Sequence, residues 1–239
     1  MRSIFSKNTV FASLILSLSS FSSVSSADFQ ADLGFASEYV RNGIKQSSAK
    51  PVIQGNLIYT SQTGLYGGAW ISGVERGSQD STRFELDGFA GFFLPLSTSF
   101  DLDIGYTYAT FLGEEDTEDD GYGETFVNVL YDKSTTLGYR YSADYMGSGE
   151  DLQVIELAHV YHMDDFSFEG SVRNYKYLEI TEDVNWGSET RDDYFHFRIG
   201  AARAYKENHF SLGLERTNLS GEFDGGTQII FTYARQFNF

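Results

Sequence analysis

The chain has 239 residues, no cysteine, two prolines, 24 glycines and a formal net charge of -17. An acidic chain is repelled by phosphate backbones, which argues against nucleic-acid binding. A chain without cysteine has no disulfides, no thiolate metal ligands and no lipoprotein anchor, and the 16% aromatic content argues against disorder.

Residues 1–27 predict a secretory signal peptide. Two basic residues precede a short apolar run at residues 10–18, and the small residues Ser25 and Ala27 stand at the cleavage positions. The alternative, an N-terminal membrane anchor, needs about 20 apolar residues, and this run is shorter. We expect the mature chain to begin at Asp28.

The mature chain alternates apolar and polar residues, which predicts β-strands with one apolar face. In residues 100–108, for example, Phe100, Leu102 and Ile104 alternate with acidic or small residues. The predicted strands are 29–40, 52–60, 65–74, 83–94, 100–112, 124–132, 136–146, 154–163, 166–178, 194–205, 209–218 and 228–239. Segments 65–74 and 124–132 alternate poorly, so their faces stay unassigned.

The connections between these strands alternate strictly between short and long. An outer-membrane barrel has short periplasmic turns, longer external loops and an even number of strands. Strands of about ten residues, tilted by about 40°, rise roughly 25 Å, the height of the apolar band of such a barrel. The alternative is a secreted β-sandwich, whose strands are usually shorter. We therefore predict an all-β fold: a transmembrane, antiparallel, up-and-down barrel of about twelve strands, spanning residues 28–239.

The last strand ends in alternating aromatic residues, Phe237 and Phe239. A terminal aromatic residue of this kind resembles the signal by which the outer-membrane assembly machinery recognises its barrels. We therefore expect that machinery to be a partner during biogenesis.

Several short motifs together resemble the TorF-type porins, a proteobacterial family. They are Ser37-Glu38-Tyr39-Val40 with Gly43, Pro51-Val52-Ile53-Gln54-Gly55, Gly64-Leu65-Tyr66-Gly67-Gly68-Ala69-Trp70, Glu85-Leu86-Asp87, Asp103-Ile104-Gly105-Tyr106 and Tyr141-Ser142-Ala143-Asp144-Tyr145. The chain departs from the family pattern at Arg41-Asn42, where the family places an aromatic residue and then arginine before the glycine. The resemblance implies an outer-membrane barrel and says little about the solute.

If the apolar faces contact lipid, the opposite faces line the lumen, where carboxylates outnumber arginines. The pore-lining candidates are Glu85, Asp87, Asp101, Asp103, Arg140, Asp144, Arg173 and Arg198. An acidic lumen concentrates cations and favours a channel for cations or neutral polar solutes. The alternative is that these carboxylates and arginines pair and plug the lumen.

The sequence offers little support for catalysis or a resident metal. His159 and His162 differ by three positions on a strand, so they face opposite sides and cannot chelate one metal together. The acidic loop that contains Asp116, Glu118 and Asp120 begins like an EF-hand, but Val127 stands where the motif requires glutamate. We expect a solvated loop, at most a loose divalent-cation site, and neither a cofactor nor an enzyme activity.

Two function hypotheses from different classes follow. The first is a passive outer-membrane channel for small polar solutes. The second is a closed structural or surface-interaction barrel whose acidic external loops bind divalent cations, lipopolysaccharide or a partner. Both place the protein in outer-membrane lipid with lipopolysaccharide, as a monomer. An outer-membrane hydrolase is a distant third.

Overall fold

The computed structural model describes residues 28–75, 81–113, 121–182, 184–188 and 190–239, so the predicted signal peptide lies outside the described residues. The strands of this part of the chain are β1 Asp28–Ala36, β2 Val40–Arg41, β3 Ile44–Lys45, β4 Val52–Thr60, β5 Leu65–Gly73, β6 Thr82–Pro95, β7 Phe100–Gly113, β8 Tyr122–Tyr131, β9 Thr135–Ser142, β10 Leu152–Met163, β11 Phe166–Tyr177, β12 Asp193–Tyr205, β13 Asn208–Thr217 and β14 Thr227–Asn238. Short 3-10 turns lie in the loops after β9 and β13, at Tyr145–Gly147 and Gly221–Phe223. Within these ranges no helix is long and apolar enough to span a membrane.

Twelve of these strands form one closed antiparallel barrel, which confirms the predicted fold. Each strand pairs with its neighbours in the chain, except that β1 pairs with β4 on one side and with β14 on the other. The pairing of Gln30 with Asn238 through Ala36 with Thr232 closes the ring. Closure leaves no unpaired strand edge, which is the condition for a sheet to exist in lipid.

The two ends of the barrel differ in the length of their connections, as predicted. Connections 61–64, 96–99, 132–134, 164–165 and 206–207 lie at one end, which we call the short-turn end. The other end, where β1 leads to β4, β5 to β6, β7 to β8, β9 to β10, β11 to β12 and β13 to β14, is the long-loop end. In the turn after β8, Asp132 and Lys133 both have positive φ, 49° and 56°, as a type I′ hairpin turn requires.

The outer face of the barrel is apolar and exposed. Large hydrophobic side chains on every barrel strand point outward; the most exposed include Ile53, Leu33, Leu137, Ile155, Ile199 and Ile229. An exposed apolar surface of this extent belongs to a protein whose wall contacts lipid. The two unassigned strands now have faces: Tyr66 and Ser72 of β5, and Glu124 and Asn128 of β8, are buried inside the barrel.

The inner face is filled unevenly. On the side of β5 to β8, aromatic and aliphatic side chains pack together and fill the interior; this cluster is Tyr66, Phe89, Phe93, Phe126 and Leu130. On the side of β10 to β12, most inward residues of the short-turn half are small and partly exposed; they include Ala158, Ser171, Gly200, Ala202 and Ala204. The partly accessible inner wall therefore includes β10 to β12.

Candidate functional site: the barrel lumen

A belt of ion pairs crosses the inner wall of β10 to β13. The Arg173 Nε donates to Glu156 Oε1 at 2.9 Å, and these two residues are direct partners across β10 and β11. Arg198 contacts both Glu169 and Glu215, its partner on β13. The ring of His196 joins the belt, since its Nε2 lies 3.0 Å from Glu215 Oε2.

The connection between β1 and β4 turns into the barrel. It carries the short hairpin of β2 and β3, in which Val40 pairs with Lys45 and Arg41 with Ile44. Asn-Gly is the preferred two-residue hairpin turn, and Asn42 and Gly43 have the positive φ of a type I′ turn, 56° and 79°. We call residues 40–45 the inserted hairpin. Its side chains are largely buried, which places it in the interior at the long-loop end.

The guanidinium of Arg41 lies among three carboxylates of the barrel wall, which we call the carboxylate cage: Glu85, Asp87 and Glu124. Arg41 pairs with Glu85, its Nη1 lies 3.0 Å from Asp87 Oδ2, and its Nη2 lies 3.8 Å from Glu124 Oε2. The guanidinium carbon also lies 5.3 Å from the centre of the Tyr122 ring, within range of a cation–π interaction. Burial lowers the pKa of Arg41, but the groups around it, Tyr122 and Asp87 foremost, outweigh burial and raise this pKa well above its usual value. Arg41 is therefore charged at any physiological pH.

Three tyrosines hold the tip of the inserted hairpin, and we call them the tyrosine clamp: Tyr145, Tyr175 and Tyr194. The hydroxyl groups of Tyr175 and Tyr194 donate to the side-chain and main-chain oxygens of Asn42, each at 3.0 Å. The Asn42 amide donates to the Tyr145 hydroxyl, also at 3.0 Å. Burial raises the pKa of Tyr145 to about 12, so its hydroxyl stays protonated. The clamp comes from three separate segments and fixes the hairpin tip beside the cage, since the Tyr145 ring lies 4.8 Å from the Tyr122 ring.

The predicted pore-lining residues fall into three groups. Glu85 and Asp87 belong to the carboxylate cage, and Arg173 and Arg198 belong to the ion-pair belt. Asp103 accepts hydrogen bonds from Tyr66 at 2.7 Å and Asn128 at 3.0 Å. Asp101 is buried next to it near the short-turn end, and Arg140 is half-buried on the inner face of β9.

One of the candidates is not on the inner wall. Strand β9 ends at Ser142, earlier than the predicted residue 146. Asp144 is exposed in the following loop, where its Oδ1 accepts a hydrogen bond from the Gly149 N–H at 2.7 Å. Alternation in the sequence continues past the strand because Tyr145, the third residue of the loop, is again a large aromatic residue, and it is buried in the interior. Asp144 therefore does not line the lumen.

Sequence reasoning missed the residues that organise the interior. In the sequence, Arg41 and Asn42 stand out only as a departure from the TorF pattern, and Glu124 lies on a strand whose alternation assigns no face. The Asn-Gly dipeptide was the available signal for the hairpin, although it does not say that the hairpin enters the barrel. The loop candidates Asp116, Glu118 and Asp120 lie outside the described residues, and within the described part no three His, Asp or Glu side chains are placed to hold a metal ion.

Comparison with known proteins gives a family and a fold. A family model described as a bacterial protein of unknown function (Gcw_chp) matches residues 21–238. The chain belongs to the Gcw_chp family. The match does not test the TorF name, which stays a prediction. No curated protein is similar in sequence to this chain.

Among solved structures, two porins share the architecture. The KdgM porin superposes with a TM-score of 0.56 at 7% identity, covering 87% of this chain and 99% of its own. The NanC porin superposes with a TM-score of 0.55 at 11% identity, covering 87% of this chain and 98% of its own. At these identities the likeness shows that the Gcw_chp chain has a porin-like barrel fold.

Proposed function

We propose that this Gcw_chp protein is a passive diffusion channel for small polar solutes in a bacterial outer membrane. One observation carries the proposal: a closed barrel with an apolar outer face has an inner face that, along β10 to β12, is lined by polar and small residues and is partly exposed. Neither feature is useful to a water-soluble structural protein, whereas a solute path through lipid requires both. In this proposal the protein has neither an enzyme activity nor a cofactor.

We further propose that the channel prefers cations or neutral solutes. Asp32, Asp101 and Asp103 all point inward, and within the described residues none of them forms an ion pair with arginine or lysine. In the belt and the cage, three arginines face six further carboxylates, so the interior as a whole keeps a negative charge. The resulting negative potential attracts cations.

The same proposal gives the protein its orientation and partners. The short-turn end and both chain termini face the periplasm, and the long loops face outward to lipopolysaccharide, as in outer-membrane barrels generally. Export uses the signal peptide at residues 1–27, and the assembly machinery recognises Phe237 and Phe239, whose rings are exposed at the end of β14. The closed barrel needs no second subunit, and we propose a monomer.

The test is single-channel current through the refolded mature chain in a planar bilayer with a KCl gradient. We expect discrete steps and a cation-selective reversal potential. Asp101→Arg is expected to shift that potential toward anions. Asp144→Arg, the same charge change outside the wall, is the matched control and is expected to leave it unchanged. Anion selectivity of the native chain would contradict the proposed lumen charge.

The closed structural barrel remains the second candidate because a specific observation favours it. The inserted hairpin, the carboxylate cage and the tyrosine clamp fill the long-loop half of the interior. A correctly folded barrel that stays silent in the bilayer, with and without deletion of the inserted hairpin, would establish this candidate over the channel.

A further inference from the structure

The carboxylate cage carries more negative charge than its occupant neutralises. Three carboxylates face the single guanidinium of Arg41, and the side chains of Glu85 and Asp87 are 0% exposed. Buried carboxylates are costly unless cations and hydrogen bonds compensate them. The cage is therefore built to attract cationic groups strongly.

A second, independent observation concerns the hydrogen bonds of the cage. Within the described part of the chain, the Asp87 Oδ1 and the Tyr122 hydroxyl are buried without a hydrogen-bond partner. Carboxylates beside an aromatic ring are the groups that bind guanidinium and ammonium ions. Among the described residues no cluster has the arrangement of a metal site, so the chemistry favours an organic cation.

The group that occupies the cage is not part of the barrel wall. Strands β2 and β3 form a separate two-stranded sheet, and no barrel strand pairs with either of them. The hairpin contacts the barrel through the Arg41 ion pairs, the Asn42 hydrogen bonds and the buried side chain of Val40, which packs with Ile230 and Val52. Arg41 is thus a cation carried on a segment that is separate from the barrel wall.

We propose that the carboxylate cage is a binding site for the guanidinium or primary ammonium group of a small solute, and that Arg41 is its tethered competitor. The inference deepens the proposed channel function, on which it rests, by naming the solute class. A solute cation that takes the cage releases Arg41, so recognition is coupled to movement of the inserted hairpin. A tethered group competes at an effective concentration of about millimolar, so a free solute must reach that range in the native protein.

The experiment measures binding of L-arginine to the refolded barrel, with L-citrulline, its neutral isostere, as the control ligand. The ring of Trp70 lies 5.3 Å from that of Tyr39, next to the inserted hairpin, so the indole N–H resonance of Trp70 reports hairpin position. Removing the competitor with Arg41→Gln is expected to tighten L-arginine binding at least tenfold. Adding Asp87→Asn to that variant is expected to abolish binding, whereas Asp192→Asn, which removes an exposed carboxylate, is expected to have no effect.

A second variant keeps the proposal testable if Arg41→Gln does not fold. Tyr175→Phe keeps the ring but removes the hydrogen bond from the Tyr175 hydroxyl to the Asn42 side chain, so the hairpin holds Arg41 in the cage less firmly. This variant is expected to tighten L-arginine binding about fivefold over the native chain, whereas Tyr141→Phe, which removes a hydrogen bond to Asp151 instead, is expected to have no effect.

The outcomes separate this inference from the channel itself. Saturable L-arginine binding that citrulline does not reproduce, and that Tyr175→Phe tightens, supports the cage. Absence of such binding in Arg41→Gln and in Tyr175→Phe overturns the cage, even if the barrel conducts ions. Binding to a barrel that never conducts rejects the channel and leaves the cage standing as a receptor site.

Discussion

The ion-pair belt makes a strong prediction at Arg198. This side chain is 5% exposed and contacts two carboxylates, one of which, Glu215, is 1% exposed. Arg198→Met leaves both carboxylates in the interior, where the His196 ring stays within hydrogen-bond distance of Glu215. Breaking a buried ion pair on one side costs about 3–5 kcal/mol. At about 1.4 kcal/mol per factor of ten, the unfolding equilibrium constant rises roughly one hundred- to several thousand-fold.

Urea unfolding in phospholipid vesicles, followed by tryptophan fluorescence, measures this loss. Arg198→Lys keeps the charge but not the planar fork, so an intermediate loss is expected. Arg198→Met with Glu215→Gln is expected to lose less than the sum of the two single changes, because the second removes the stranded charge. Arg216→Met, an exposed site on the outer face of β13, is the control and is expected to change stability by about 0–1 kcal/mol. A loss below about 1 kcal/mol at Arg198 would show that water, not Arg198, solvates these carboxylates.

Three further predictions test other parts of the structure. Ile199→Arg, at a position 61% exposed midway along β12, is expected to lower the free energy of unfolding by about 2–4 kcal/mol in the same urea titration. Ser171→Arg, on the inner face, is expected to lower it clearly less, and equal losses would mean that the faces are assigned wrongly. Tyr194→Phe removes one hydrogen bond to Asn42 and keeps the ring, so a loss of about 1 kcal/mol is expected, and an unchanged midpoint would show that the clamp does not hold the hairpin. Deletion of Phe239 is expected to slow insertion by the purified assembly machinery but not spontaneous refolding into lipid, and equal slowing of both would refute a recognition role.

The barrel wall was predictable because inward and outward residues alternate with a period of two along every strand. Lipid and lumen select opposite parities along every strand, so Phe100 and Asp101 already separate the two faces in the sequence. The rule fails where the interior is itself apolar. In β8, Phe126 and Leu130 point inward while Val127 and Val129 point outward, so both faces are hydrophobic and parity carries no information.

The inserted hairpin was not predictable by the same reasoning. Arg41 lies 46 residues before Asp87, and strands β4 and β5 come between them in the chain, so nothing local brings them together. The preference for the hairpin conformation is local and resides in Asn42-Gly43. Its destination depends on the cage and the clamp, whose members come from β6, β8, β11, β12 and the loop after β9. A loop that enters a barrel is specified by the surfaces that receive it, and these exist only after the barrel closes.

The ion-pair belt is an intermediate case, because the register of two strands across a short turn can in principle be predicted from the sequence. In an antiparallel hairpin with a two-residue turn, residues equally far from the turn face each other. Glu156 is seven residues before the end of β10 and Arg173 seven after the start of β11, and the structure pairs them directly. Arg198 and Glu215 have the same spacing about the next short turn and are likewise partners. The parity of each strand gives the sign of the lumen charge, but the register across the short turns decides how much of that charge is already paired. Because Glu156 and Glu215 are already paired across short turns, they do not count among the charges that can select solutes. Asp101 and Asp103 remain, and they are the residues at which charge reversal should act.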